Sequence, residues 1–293
     1  MSTTAHARTS RPIAWLQLLR PHQWLKNGFV LAGLLFGRLW HDADLVHLAL
    51  LSMAAFCLAS SAVYVLNDWL DREADAQHPR KRHRPLASGA VSGTEGVALG
   101  VTCLAGAAWL AWLTTPLFMG LLASYLVLNT AYTLRLKQVP VVDVFIIAAG
   151  FMLRLLAGTW AIGIQPSHWL LLTGLFVTLF LGFSKRRAES FHASAHQRAV
   201  LADYPPAFLD LCVGVTLTAT LLTYSLFATA PEAIERHGPR LWMTIPLVVF
   251  GALRYVYQVH RGQAEDFARD LLRDRWIVLS ALGWLLVFAS PRA

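Results

Sequence analysis

Asp68, Asp71 and Asp75 lie in the stretch NDWLDREAD, which begins at Asn67 and follows the apolar run LALLSMAAFCLASSAVYVL. If the helix built by that run continues past its apolar end, a step of 100° per residue puts the three aspartates within about 60° of one another, with Asn67 and Tyr64 close by. Three carboxylates on one face repel unless a cation is held there. Hard oxygen ligands on an open, hydrated face suit Mg2+, which keeps several waters and shares its coordination with substrate phosphates, so Asn67 and the three aspartates are the candidate metal ligands. Glu73 points elsewhere and reads as a surface charge. The competing explanation is a solvated network in which the aspartates pair with RKRHR, residues 80–84.

Cationic and polar residues gather at matching places. The stretch RPHQWLKN carries Arg20, His22, Lys26 and Asn27, and YTLRLK carries Tyr132, Arg135 and Lys137. In the next apolar run Asp143, Gly150 and Arg154 recur close to one helical face, with Arg154 about 16 Å along the axis from Asp143. A cation that deep in an apolar helix marks a functional position or an ion pair with an acid on a neighbouring helix. Lys137, near the interface, serves a site or snorkels there.

The elements that must position these groups are membrane helices. The chain has 293 residues, is 56% hydrophobic and 14% charged, and has a mean hydropathy of +0.49, which is too apolar for a soluble domain and fits an all-α polytopic membrane protein. Nine spans are expected, at residues 24–40, 45–68, 93–114, 116–135, 140–162, 167–185, 207–230, 240–259 and 273–290. Residues 1–23 form a cytoplasmic N-terminal tail and 24–293 one integral-membrane domain. The tail has no short apolar stretch with a small-residue cleavage site behind it, so it does not read as a secretory signal. Cys57, Cys103 and Cys212 lie singly in apolar runs and read as packing residues.

The excess of basic residues, +8 with a pI near 9.8, suits nucleic acid, anionic lipid or a phosphorylated substrate, and its distribution separates these. The clusters before the first span and after the second, fourth, sixth and eighth all fall on one side. Alternate connections such as HDAD, TTP and GIQPS are short or weakly basic, which places the N-terminus and the charged face in the cytoplasm. That pattern belongs to a bilayer protein and not to a nucleic-acid binder.

The motif NDxxDxxxD at the end of a second span, followed by RPLASG at residues 84–89, resembles the first signature of the UbiA-type intramembrane prenyltransferase superfamily. The resemblance covers nearly the whole chain and implies a helical bundle with a cytoplasmic cap, in which a Mg2+-complexed diphosphate is bound and a group is moved at a lipid-facing cavity. Members that prenylate aromatic acceptors carry a second aspartate-rich motif after the sixth helix. Here that loop begins FSKRRAES, with Lys185, Arg186 and Arg187 balanced by Glu189. Cations there bind phosphate directly through charge-assisted hydrogen bonds.

Together with RPHQWLKN, YTLRLKQVPVVDVFIIAAGFMLR and the late EDFARDLLRDR, this departure is similar to the decaprenyl-phosphate phosphoribosyltransferase branch of the superfamily. The branch implies a 5-phosphoribosyl 1-diphosphate donor, a polyprenyl monophosphate acceptor, cell-wall arabinan synthesis, and residence in the inner (plasma) membrane of a bacterium with the active site facing the cytoplasm. Asp68, Asp71, Asp75 and Lys137 then carry the catalytic roles. Lys26, Asn67, Arg84, Tyr132, Lys137 and Arg154 contact substrate. Lys185, Arg186 and Arg187 either seat the ribose 5-phosphate or set topology, and Asp143 either binds a ribose hydroxyl or orients Lys137. Two rivals stand beside this reading: a prenyltransferase with a small aromatic acceptor, and an organic-anion transporter, which should instead carry its polar residues on broken helices at mid-membrane. Whether the chain forms a homo-oligomer is left open.

Overall fold

The computed structural model describes residues 10–79, 81–191, 199–262 and 273–290, and every regular element among them is helical. Six helices are long and apolar enough to cross a membrane: α3 (Ala43–Leu70), α5 (Gly93–Trp112), α6 (Pro116–Leu134), α7 (Val142–Ala161), α8 (His168–Phe191) and α9 (Pro206–Thr229). They match six of the nine expected spans. The other three take different forms. The first is a 3-10 helix, Pro21–Leu31, leading into the short α2 (Ala32–Gly37), behind α1 (Arg11–Leu19). The eighth and ninth are α10 (Ile245–His260) and α11 (Arg275–Ala289), of 16 and 15 residues. At 1.5 Å per residue these reach about 24 Å, short of the roughly 30 Å hydrocarbon core. Of the segments that carry the sequence resemblance, residues 265–272 lie outside the described residues, as do 1–9 of the expected tail.

The chain divides into two compact units, one of Met1–Thr133 with Leu156–Ile164 and the other of Leu134–Leu155 with Gln165–Ala293, the division falling inside α7. In the first unit α3 packs along α5 and against the 3-10 helix. Asp42 caps α3 by accepting from the Asp44 and Leu45 amides, and Ser92 with Glu95 closes a capping box at the start of α5, which fixes the return of the loop that holds Arg84. Phe56 meets Phe118 and Tyr125 edge-on. The end of α7 lies so close to the 3-10 helix that a Cβ on Gly158 would stand 1.8 Å from the Val30 carbonyl oxygen.

In the second unit α8 and α9 pack side by side over a core that includes Val144, Phe180, Phe183, Leu209, Val213, Tyr255 and Ile277. Serines and threonines inside the long helices return their hydroxyls to carbonyls of the preceding turn, as Thr178, Thr216 and Thr220 do. This satisfies those donors where no water is at hand, whereas the buried Thr173 and Ser184 hydroxyls of α8 have no hydrogen-bond partner among the described residues. Large side chains such as Trp109 and Trp112 face outward, the arrangement expected of helices whose outer solvent is lipid.

Candidate functional site

The acidic motif sits at a joint. Helix α3 ends at Leu70, Asp71 forms the turn, and α4 (Arg72–Gln77) follows at once. The helical hydrogen bonding nevertheless carries across, with the Asp71 amide donating to Asn67 and the Asp75 amide to Asp71. The register that puts three aspartates on one stripe is therefore kept. Asp68 and Asp75 are buried, at 2% and 3% exposure, and Asp71 is half-buried. Glu73 is exposed and near Arg72.

The loop after α4 turns back over this stripe and delivers Arg84. One guanidinium nitrogen of Arg84 donates to Asp75 at 2.6 Å and to Asp68 at 3.0 Å, so two carboxylates seven residues apart converge on one cationic point. Lys81 stands 3.9 Å from Asp75. Arg20, absent from the site residues expected from the sequence, donates to Asp68 at 2.6 Å and lies over the Tyr64 ring. It takes the left-handed backbone conformation, φ 53°, at the corner between α1 and the 3-10 helix. The signal was the Arg-Pro pair that opens RPHQWLKN. The network that competed with the metal reading is thus present through Lys81 and Arg84, and it is more buried than a surface network would be, while residue 80 of that stretch lies outside the described residues. Among the described residues no three Asp, Glu, His or Cys side chains form a metal-holding group.

On the same unit's 3-10 helix, Asn27 is buried and donates to Cys57 and Ser60, while Lys26, next to it in sequence, is half-buried. The Asn27 bonds attach that helix to α3, just as the Trp24 indole does through Ser61. Tyr132 is half-buried on the last turn of α6.

The second unit holds the other expected residues and sorts them. Lys185, Arg186 and Arg187 are consecutive on α8, so they point about 100° apart. Lys185 is exposed and stands 4.0 Å from Glu189. Arg186 is buried, donating to Asp143 at 2.7 Å and to Glu189 at 2.7 Å. Arg187 pairs with Asp210, which also receives His260. Asp143 is fully buried and its second oxygen accepts the Tyr204 hydroxyl at 2.6 Å. Arg154 is buried, donates to the Gly150 carbonyl one turn back and lies over Phe151. Lys137 is half-buried on the 3-10 turn Leu136–Gln138 between α6 and α7.

This sorting has a stability consequence. Arg186→Met strands the buried Asp143 carboxylate without its cation, and thermal denaturation in detergent should register a loss of about 3–5 kcal/mol. Arg187→Met exposes only Asp210, already 40% accessible, and should lose less than about 1 kcal/mol.

An all-helical, multi-pass membrane protein with a buried acidic pair held under a basic loop belongs to the class of intramembrane transferases. More narrowly, the chain belongs to the UbiA prenyltransferase family, whose profile matches residues 27–278. It is 36% identical to the decaprenyl-phosphate phosphoribosyltransferase of Mycobacterium tuberculosis over 95% of this chain and 94% of that protein. The enzyme of the same name from Corynebacterium glutamicum is 32% identical, over 92% of this chain and 84% of the relative. A solved UbiA homolog from Archaeoglobus fulgidus bound to GPP and Mg2+ superposes with a TM-score of 0.72 at 19% identity, over 94% of this chain and 98% of that one, a likeness of fold.

Proposed function

We propose that the protein transfers 5-phosphoribose from 5-phosphoribosyl 1-diphosphate to a polyprenyl monophosphate, decaprenyl phosphate in the first instance, on the cytoplasmic side of a bacterial inner membrane. The observation that carries this reading is the 36% identity, over almost the full length of both chains, to a decaprenyl-phosphate phosphoribosyltransferase. The convergence of Asp68 and Asp75 on a single cationic nitrogen supports it from the side of geometry.

The acidic stripe suits Mg2+ by its donor chemistry. Two buried carboxylates already accept one cation between them, and Mg2+ typically takes only one or two protein carboxylates, completing its shell with water and substrate phosphate. Asp68 and Asp75 would hold it directly, with Asp71 and Asn67 acting through its waters, and when bound it would neutralise charge on the departing diphosphate. The rest falls to the chain's own residues. Arg84 orders Asp68 and Asp75, Arg20 orders Asp68, and Arg84 brings a cation to a diphosphate arriving there. Lys26, Tyr132, Lys137 and Arg154 supply contacts to the remaining phosphates. Of the SKRR cations only Lys185 is exposed enough to meet a ribose 5-phosphate, since Arg186 and Arg187 are engaged with acids. In the transfer, an oxygen of the lipid phosphate attacks the anomeric carbon and bonds to it as the carbon–oxygen bond to pyrophosphate breaks. The nucleophile is already anionic, so no general base is needed and the rate enhancement comes from positioning and charge stabilisation.

Purified protein incubated with labelled phosphoribosyl diphosphate, decaprenyl phosphate and Mg2+ should move label into the organic phase. EDTA should stop the transfer and excess Mg2+ restore it. Prenyl diphosphate with an aromatic acceptor should give no product. The reverse pattern, an aromatic product and no lipid label, would overturn the reading.

A further inference from the structure

Between α6 and α7 the chain makes an unusual turn. Val141, the residue before α7, has φ 68°. This is the left-handed region, where a β-branched residue is a genuine outlier that persists only when its surroundings enforce it. The enforcing contact is visible. The Val141 amide donates to the Tyr204 hydroxyl at 2.5 Å, and that hydroxyl donates to Asp143 at 2.6 Å. The other Asp143 oxygen is held by Arg186, which Glu189 holds in turn. Tyr204 and Asp143 are 3% and 0% exposed. Burial, and then the bond to Asp143, raise the Tyr204 phenol above its ordinary range, so it stays protonated and able to donate. The 3-10 turn Leu136–Gln138 also lies against Ala199–Leu201, the turn that leads into Tyr204.

We infer that Tyr204 is a positioning residue for the transfer reaction: through Val141 and Asp143 it locks the left-handed turn that sets the direction of the Leu136–Gln138 segment, and thereby the place of Lys137. This rests on the reading that Lys137 contacts a substrate phosphate. It settles the choice left at Asp143 in favour of orientation, because both oxygens of that carboxylate are committed inside the protein.

Tyr204→Phe keeps the ring and removes the hydroxyl that joins Val141 to Asp143. In the full-length protein in detergent it should raise the KM for phosphoribosyl diphosphate or decaprenyl phosphate about tenfold, the worth of one well-placed hydrogen bond, with a smaller change in kcat. Trypsin should cut after Arg135 or Lys137 several-fold faster than in the unsubstituted protein, at a temperature well below the thermal midpoint of both. Val141→Gly makes the left-handed conformation inexpensive, so adding Tyr204→Phe to it should cost less in KM than in the native background, a coupling that an independent structural defect does not produce. If Tyr204→Phe lowers the thermal midpoint while KM and cleavage at Arg135 and Lys137 stay unchanged, the inference is wrong. If the substrates themselves are misassigned and no transfer occurs, the cleavage comparison still decides it.

Discussion

Asp71→Ala should reduce phosphoribosyl transfer on the order of 10³-fold, the scale on which a preorganised charge-stabilising group acts, while the protein melts within a few degrees of the native midpoint. Asp68→Ala should reduce it at least as much, with a loss of stability as well. The difference follows from burial. Asp71 lies half-buried on the turn between α3 and α4, whereas Asp68 is 2% exposed and accepts both Arg20 and Arg84. Removing the Asp68 carboxylate takes the anion from the Arg20 guanidinium and leaves Arg84 with Asp75 alone. Breaking a fully buried pair costs about 3–5 kcal/mol. Since the two arginines keep 20% and 26% exposure, the lower end of that range or somewhat less is expected. Asp68→Asn separates the two effects, because the amide keeps the shape and one acceptor but not the charge. Turnover by radiolabel in the organic phase and midpoints by thermal scanning read both quantities. Near-normal turnover in Asp71→Ala would remove that residue from the metal site.

The acidic site was legible because its determinants are local. The apolar run ending at Leu66 predicted a helix, and helical periodicity alone brought Asp68 and Asp75 to one stripe. Arg84 was legible as a member of RPLASG but not as the bridge, since its place depends on how a sixteen-residue return from Asp68 folds. The cations of α8 were misleading for a geometric reason. Three consecutive residues on a helix point in three directions, and nothing in KRR says which one turns inward. The acid at Asp143 was the available signal, because a carboxylate in an apolar helix needs a buried cation, and Glu189 three residues past Arg186 strengthens the choice. Tyr204 gave no signal at all, its partners lying 63 and 61 residues away along the chain. The first expected span shows a different limit. Hydropathy over residues 24–40 marks an apolar segment, but it does not distinguish α from 3-10 geometry, and the latter, at about 2.0 Å per residue, gives 11 residues a reach of about 22 Å.

Gly158→Ala is expected to prevent folding or to lower the thermal midpoint by more than any other single methyl addition in the first unit. A Cβ at this position would stand 1.8 Å from the Val30 carbonyl oxygen, 2.5 Å from its carbonyl carbon and 2.7 Å from its Cα. These are backbone atoms, so no side chain can rotate away, and relief requires α7 and the 3-10 helix to separate. That separation would also undo the tight seat of the segment carrying Lys26 and Asn27, which is why a defect far in sequence from the acidic motif should reach the site. Gly120→Ala is the control. It lies on the exposed face of α6 with nothing within 4 Å of the added Cβ, and alanine's better helix propensity should leave the protein as stable or up to about 1 kcal/mol more so. Expression level, size-exclusion profile and thermal midpoint of the two variants side by side test the claim. Equal behaviour would mean that the close approach of Gly158 to Val30 does not exist in the folded protein.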